Sequence, residues 1–298
     1  MAPILPRKPV AKDRFPALFA TLKTQTYYDS TSRGSHAIRT IAWSPTGHLI
    51  ATGSTDRTLR IWNPDKPTSK NSTELRGHNG AIERVCWNPT KEAELASDDT
   101  LIPISISFPD STPTALPSLP QTVQTNQLAF PHSPPSSQPT TLLLTTGNGT
   151  VDIADWPPAP TSTSNGAGKL NIIHSMHAHT SAALSLELSP TGRYLAIGGS
   201  DALISLWDTT EWVCRRTLTG MGGGVRSVSF SWDGSFVVGG SDEGLGIEIA
   251  HVETGEYIHT VPTTTPAPCV AWHPQRYWLA YSGDAQGLKI VGAAGGNL

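Results

Sequence analysis

Residues 40–62 read TIAWSPTGHLIATGSTDRTLRIW, and this stretch decides the fold. A first apolar strand ends in Trp43, a Ser-Pro-Thr-Gly turn leads to a second strand, and a Ser-Thr-Asp turn leads to a third strand that ends in Trp62. The residue that ends the first strand recurs at steps of 44, 43, 58, 42 and 42 residues, at Trp43, Trp87, Phe130, Leu188, Phe230 and Trp272. One supersecondary unit is therefore copied six times.

A unit of this length holds four short strands, and it buries both faces only when neighbouring units stack against it. This period, with a histidine before the first strand, is typical of a β-propeller blade. The predicted fold class is an all-β, WD-repeat β-propeller with six recognisable blades over residues 35–298. Residues 1–34 are predicted to form an N-terminal arm. We expect the end of this arm to supply the outer strand of the last blade, because too few residues follow the strand at 288–291 to form it.

The marker residues of the repeat have the spacing of a hydrogen-bond network buried within each blade. In the first and fourth units an aspartate precedes a tryptophan by six residues, with a histidine upstream. Indole, hydroxyl, imidazole and carboxylate groups satisfy one another in such a network, and a partly satisfied one would be costly. The predicted structural residues are His36, Asp56, Trp62, His78, His179, Asp201 and Trp207.

A second set of residues enters the first strand of a blade and therefore lies at one rim of the disc. The candidate partner-binding residues of this rim are Arg39, Glu83, Arg84 and Arg226. Arginine is favoured in protein interfaces because its planar donor fork suits directional hydrogen bonds. The alternative, that these are solvated loop charges, stays open.

Nothing in the sequence predicts an enzyme, a metal site or a cofactor. His174, His177 and His179 are close in sequence, but the repeat already uses His179, and no carboxylate or thiolate accompanies them at ligand spacing. No Ser/His/Asp or Cys/His arrangement stands out. The glycine-rich run 220–224 lacks the Lys-Ser/Thr pair of a phosphate-binding loop.

Composition and net charge indicate the compartment in which the protein lies and the kinds of partner it binds. No apolar stretch of the 298 residues is long enough to cross a membrane and the start carries no secretory signal, so we expect an intracellular protein. The three cysteines, Cys86, Cys214 and Cys269, are too far apart to indicate a disulfide framework. The net charge of −3 provides no basic field for a polyanion, so direct RNA affinity should be weak.

The regularity fails in the middle of the chain. Where the first unit has a Gly-Ser-Thr-Asp turn, the second passes from Ser97 directly to Asp98, and Pro103 falls in the strand that follows. The sequence therefore predicts a hybrid blade with residues 95–126 as its least regular part. Segments rich in Pro, Ser and Thr are predicted to be loops or insertions, near 108–126, 131–141 and 155–168.

Four stretches carry a resemblance to a known family: SDALISLWD (200–208), VRSVSFS (225–231), IEIAHVETG (247–255) and VAWHP (270–274). These strings resemble the closing blades of the WD-repeat subunits of the THO complex, the core of the transcription-export assembly. The resemblance covers about residues 35–292. Relative to that family's seven-bladed pattern, this chain lacks about one repeat, roughly 40 residues, between Ser97 and Asp98.

The resemblance implies a non-enzymatic scaffold in the nucleus. It also implies that the partners are other THO subunits and mRNA-export factors, that RNA is contacted only weakly or indirectly, and that neither a membrane nor a small-molecule substrate is bound. Two other classes remain open from the residues alone: a WD-repeat adaptor of a ubiquitin ligase or chromatin complex, and a propeller enzyme.

Overall fold

Short antiparallel strands make up most of the protein in the computed structural model. The structure describes residues 8–27, 37–65, 72–87, 95–98, 104–105, 114–115, 123–131, 140–155, 170–284 and 287–292. Within these ranges it contains one helix, α1 (Phe15–Ala20), followed by β1 (Thr24–Tyr27) and a further 23 strands. No described helix has the length and apolar character that crossing a membrane would require.

Five four-stranded sheets form the blades. Blade 1 contains β2 (Ile38–Trp43), β3 (Ile50–Ser54), β4 (Thr58–Trp62) and β5 (Thr73–Arg76). Blade 3 contains β10 (Thr125–Ala129), β11 (Thr141–Thr146), β12 (Thr150–Asp155) and β13 (Ile172–His177). Blade 4 contains β14 (Ala183–Leu188), β15 (Tyr194–Gly199), β16 (Ile204–Asp208) and β17 (Val213–Leu218). Blade 5 contains β18 (Val225–Phe230), β19 (Phe236–Ser241), β20 (Ile247–His251) and β21 (Tyr257–Val261). Blade 6 contains β22 (Val270–Trp272), β23 (Leu279–Asp284), β24 (Gly287–Val291) and β1.

The predicted count of six blades is wrong, because the second unit is not a complete sheet. Its described residues form two separate two-stranded sheets, β6 (Arg84–Trp87) with β7 (Leu95–Asp98), and β8 (Ile104–Ser105) with β9 (Thr114–Ala115). Strands β7 and β8 lie next to each other, but they do not pair as one sheet. We call this hybrid unit unit 2. Its sequence lacks the full turn between the second and third strands, and turn length sets the register in which those two strands would pair.

The inner strands surround one axis. Contacts join β2 to β6, β10 to β14, β14 to β18, β18 to β22, and β22 back to β2. The second strand of a blade lies in its interior: every residue of β3, β15 and β19 is buried. A short run of continuously apolar or small residues is the sequence signature of such a strand.

The N-terminal segment joins the two ends of the chain. Strand β1 pairs antiparallel with β24, with Thr24 opposite Val291 and Tyr27 opposite Leu288. Helix α1 inserts Phe15 and Phe19, both almost fully buried, into the core shared by blades 5 and 6. The sequence did not predict this helix, although its apolar residues were visible.

The predicted insertions lie largely outside the described residues. Residues 106–113, 116–122, 132–139 and 156–169 are among those not described, as is Pro103. Two strands nevertheless overlap the first predicted insertion: β9 lies inside residues 108–126, and β10 begins at Thr125.

Candidate functional site

Blade 4 contains a continuous chain of hydrogen bonds between its marker residues. The Trp207 indole N–H donates to the Ser205 hydroxyl at 2.9 Å, and Ser205 Oγ lies 3.0 Å from His179 Nε2. His179 Nδ1 lies 2.9 Å from Asp201 Oδ1. When His179 is protonated on Nδ1, the imidazole donates to the Asp201 carboxylate and Ser205 donates to Nε2. Strand β16 is thereby joined to the segment before β14 and to the turn between β15 and β16.

This arrangement holds the three residue types of a hydrolytic triad, but it is closed. The His179 side chain is 1% exposed and Ser205 is 2% exposed, so no substrate reaches the hydroxyl. Ser205 also accepts the indole N–H, which a nucleophile would need to release. The sequence analysis did not single out Ser205, although its position two residues before Trp207, on the same face of the strand, was the available signal.

Blade 1 uses a different residue at the serine position. Arg60 stands two residues before Trp62, is 1% exposed, and forms an ion pair with Asp56, with Nη2 2.6 Å from Oδ2. The Trp62 indole then donates to Thr52 Oγ1 at 3.0 Å. A buried guanidinium is costly unless a carboxylate pairs with it, and in blade 1 Asp56 is that partner of Arg60. His36 lies outside the described residues.

The remaining marker, His78, precedes β6 and is half-buried. It lies at the start of unit 2, where the sequence offers no aspartate–tryptophan pair with the spacing found in blades 1 and 4.

Polar side chains at one register position link neighbouring blades. Three residues before the end of the inner strand, Ser185 donates to the Val225 carbonyl at 3.0 Å and Ser227 donates to the Pro268 carbonyl at 2.8 Å. At the same position in blade 6, the Cys269 thiol donates to the Ile38 carbonyl, with Sγ 3.6 Å from the carbonyl oxygen. Each bond crosses from one blade to the next. These contacts were not predicted from the sequence, because the residue type at this position varies from blade to blade.

Glu187 makes a further link between blades 4 and 5. Its Oε1 accepts the backbone N–H of Phe230 at 3.0 Å and lies 3.4 Å from the Ser229 hydroxyl. Burial raises the pKa of Glu187 to about 7, while the bonds from Phe230 and Ser229 lower it. The group therefore titrates near neutral pH inside an interface.

The four predicted rim residues lie at the starts of β2, β6 and β18. Arg39 Nε lies 3.8 Å from Glu83 Oε1, and both side chains are half exposed. Arg226 Nε lies 2.7 Å from Asp242 Oδ2 within blade 5. Arg84 reaches the inner strand of blade 3, where its Nη2 donates to the Asn126 carbonyl at 3.2 Å. The structure thus brings Arg39, Glu83 and Arg84 together, while Arg226 is already paired in its own blade.

The three histidines close in sequence do not converge. His174 and His177 lie on β13, the outer strand of blade 3, with their side chains exposed, whereas His179 is buried in the network of blade 4. Among the residues that the structure describes, no group of three or more histidine, cysteine, aspartate or glutamate side chains is arranged to hold a metal ion.

Comparison with known proteins supports the fold and the resemblance. Residues 25–63, 170–208 and 212–245 match the family described as "WD domain, G-beta repeat". The chain is 28% identical to THO complex subunit 3 of Arabidopsis thaliana, over an alignment that covers 85% of this chain and 88% of that protein. The resemblance indicated by the sequence strings is confirmed.

Two further matches are less specific. WD repeat-containing protein AAC3 of Dictyostelium discoideum is 29% identical, over 81% of this chain and 60% of that protein. Among solved structures, the β-propeller domain of Cps50 (Swd1) of Myceliophteria thermophila superposes with a TM-score of 0.57 at 17% identity, over 86% of this chain and 83% of that one. This second similarity supports the β-propeller fold alone.

Proposed function

We propose that this chain, a WD-repeat β-propeller similar to THO complex subunit 3, is a non-enzymatic scaffold subunit of a THO complex. In this role it works in the nucleus and joins other THO subunits and mRNA-export factors, which couple transcription to the packaging and export of mRNA. The observation that carries the proposal is the alignment with THO complex subunit 3 over 88% of that protein's length.

The chemistry of the described residues favours a scaffold. The Ser205, His179 and Asp201 groups that resemble catalytic machinery are buried and bonded to one another. Hydrogen bonds between blades, such as those of Ser185 and Ser227, hold neighbouring inner strands in fixed positions. A surface held by such bonds loses little conformational freedom when a partner binds, which favours affinity.

Direct RNA binding is expected to be weak in this proposal. The chain has 21 Lys and Arg residues against 24 Asp and Glu residues. Many of its described arginines are also committed to carboxylates, including Arg60, Arg193 and Arg226. RNA is therefore held mainly by partner subunits, because a chain with a net charge of −3 has no excess of cations to offer to phosphates.

Affinity purification tests the proposal. Tagged full-length chain, expressed in cells of its own source and recovered from nuclear extract at moderate salt, is expected to bring down the large THO subunits. Recovery of ubiquitin-ligase or chromatin subunits with no THO subunit would show that the adaptor alternative is correct. A β-propeller of unrelated sequence carrying the same tag is the control for non-specific capture.

A further inference from the structure

Leu245 is the most exposed of the large hydrophobic side chains that the structure describes, at 68%. It lies in the turn between β19 and β20, between Gly244 and Gly246, whose φ angles are +81° and +95°. Glycine adopts these left-handed values without a steric penalty, so both flanking residues suit the turn. The turn therefore presents one apolar side chain to solvent.

Contacts with two neighbouring segments hold this turn in place. The N–H of Gly246 donates to Thr263 Oγ1 at 2.8 Å. The turn also lies against the loop 219–224, where a Cβ added to Gly222 would come within 2.9 Å of the Gly244 Cα. Single exposed apolar residues are ordinary on a protein surface. A side chain on a turn that is already fixed, however, loses less conformational freedom when a partner covers it, which favours binding.

A second exposed apolar side chain contacts the same loop. Tyr257, in β21, is 38% exposed, and its hydroxyl accepts the Gly220 N–H at 2.8 Å. Leu245 and Tyr257 therefore lie next to one glycine-rich loop, whose small residues leave both side chains accessible from the same side. We call Leu245, Tyr257 and the loop 219–224 the blade 5 patch.

The charge of the turn is negative. Residues 241–248 include three acidic residues and no lysine or arginine. Arg226 offsets one of these charges, because its Nε lies 2.7 Å from Asp242 Oδ2. Glu243, which is exposed, and Glu248 complete the set. A partner that covers the leucine therefore meets carboxylates, and lysine or arginine beside its apolar contact would be favoured.

We propose that the blade 5 patch binds a partner protein, with Leu245 inserted into an apolar pocket whose edge carries lysine or arginine side chains. This inference rests on the proposed scaffold function, because it states where a THO subunit binds and what chemistry that subunit brings. Burial of the leucine supplies affinity. Pairing of Glu243 with a cation of the partner supplies orientation and makes binding depend on salt.

Biolayer interferometry with recombinant large THO subunits from the same source tests this inference on the full chain. Leu245→Ser should weaken binding about tenfold or more, because it removes the buried apolar side chain. Leu245→Met keeps the apolar volume and should bind within about twofold of the unmodified chain. Glu243→Lys should weaken binding about threefold at low salt, and this loss should shrink as salt is added.

Val213→Ser is the matched control. Val213 is 40% exposed and begins β17, at the opposite end of that strand from the loop 219–224. Its replacement should leave binding unchanged. Unchanged binding of Leu245→Ser, or an equal loss in Val213→Ser, would overturn the inference. Near-ultraviolet circular dichroism establishes that each variant is folded. If Leu245→Ser is not, Glu243→Lys and its salt dependence decide the question.

Light scattering of the chain alone separates a partner protein from a second copy. The unmodified chain should be a monomer at the concentrations used for binding. Self-association that Leu245→Ser abolishes would overturn the inference, because the patch would then join two copies of this chain.

Failure of the inference and failure of the proposed function have different signatures. If the unmodified chain binds the large THO subunits and Leu245→Ser binds them equally well, the partners bind elsewhere and only the inference is wrong. If the unmodified chain binds none of these subunits, the proposed function is wrong and the inference is wrong with it.

Discussion

Single residues at two kinds of position control how the blades of this protein hold together. Gly199 leaves the space in which His179 meets Asp201, because a Cβ on this residue would overlap Asp201 Oδ1 and His179 Nδ1. Glu187 places a carboxyl group inside the interface between blades 4 and 5. One residue therefore acts through volume and the other through charge.

Gly199→Ala should lower the free energy of unfolding by about 2 to 3 kcal/mol, because the methyl group forces the blade 4 network apart in a core that cannot relax easily. Urea unfolding measured by tryptophan fluorescence gives the difference. Gly224→Ala is the control, since the nearest atom to its added Cβ would lie 3.5 Å away. Similar losses in the two variants would mean that the network of blade 4 is not tightly packed.

Glu187→Gln should change how stability depends on pH. Because the folded-state pKa of Glu187 is raised to about 7 from 4.5, the folded protein binds more protons than the unfolded chain between these values. The contribution of Glu187 to stability is therefore present below about pH 4.5 and is lost as the pH rises toward 7. The glutamine variant cannot titrate, so from pH 5 to pH 8 it should gain about 2 to 3 kcal/mol relative to the unmodified chain.

Urea unfolding at several pH values measures this gain. Glu243→Gln, at an exposed residue of blade 5, is the control and should track the unmodified chain. A constant difference between Glu187→Gln and the unmodified chain from pH 5 to pH 8 would contradict the account of Glu187.

Individual strands and the short helix differ in how well they are supported. Strand β1 and helix α1 strengthen blade 6 from the N-terminal side, with Phe15 packed 4.0 Å from the ring centre of Phe236. In unit 2, by contrast, β8 and β9 are two residues long each, and within the part of the chain that the structure describes they pair with each other. Short isolated hairpins are marginally stable in water, so the ring has one weak position.

Hydrogen exchange should locate that weak position. Backbone amides in residues 95–106 are expected to exchange faster than those in residues 200–208, because local opening of unit 2 breaks fewer ladder bonds than opening of blade 4. Mass spectrometry of peptic peptides after exchange gives both values in one experiment. Protection across 95–106 as strong as across 200–208 would show that unit 2 closes as a proper blade.

Across the whole molecule, the sequence predicts the features that recur from blade to blade and does not predict those that occur in one blade alone. The spacing of Trp43, Phe230 and Trp272 marks the inner strands, since each is the last residue of an inner strand. The blade count could not be predicted, because it depends on whether β7 pairs with β8 across a shortened turn. Arg60 was missed because a buried arginine is recognised only once its carboxylates are located in space.

The same reasoning explains the rim. Its residues were found because the repeat places them at the start of an inner strand, but their charges could not be balanced from the sequence. Whether an arginine has a carboxylate partner depends on contacts between different strands, such as β18 with the turn that follows β19 for Arg226.

Reconstitution with purified subunits tests the central claim most directly. Recombinant full-length chain mixed with recombinant large THO subunits from the same source, and analysed by size-exclusion chromatography with light scattering, should elute in one complex of fixed stoichiometry. Elution of the folded chain as a separate species at micromolar concentration, with the other THO subunits assembled without it, would contradict the claim that this propeller is a THO scaffold subunit.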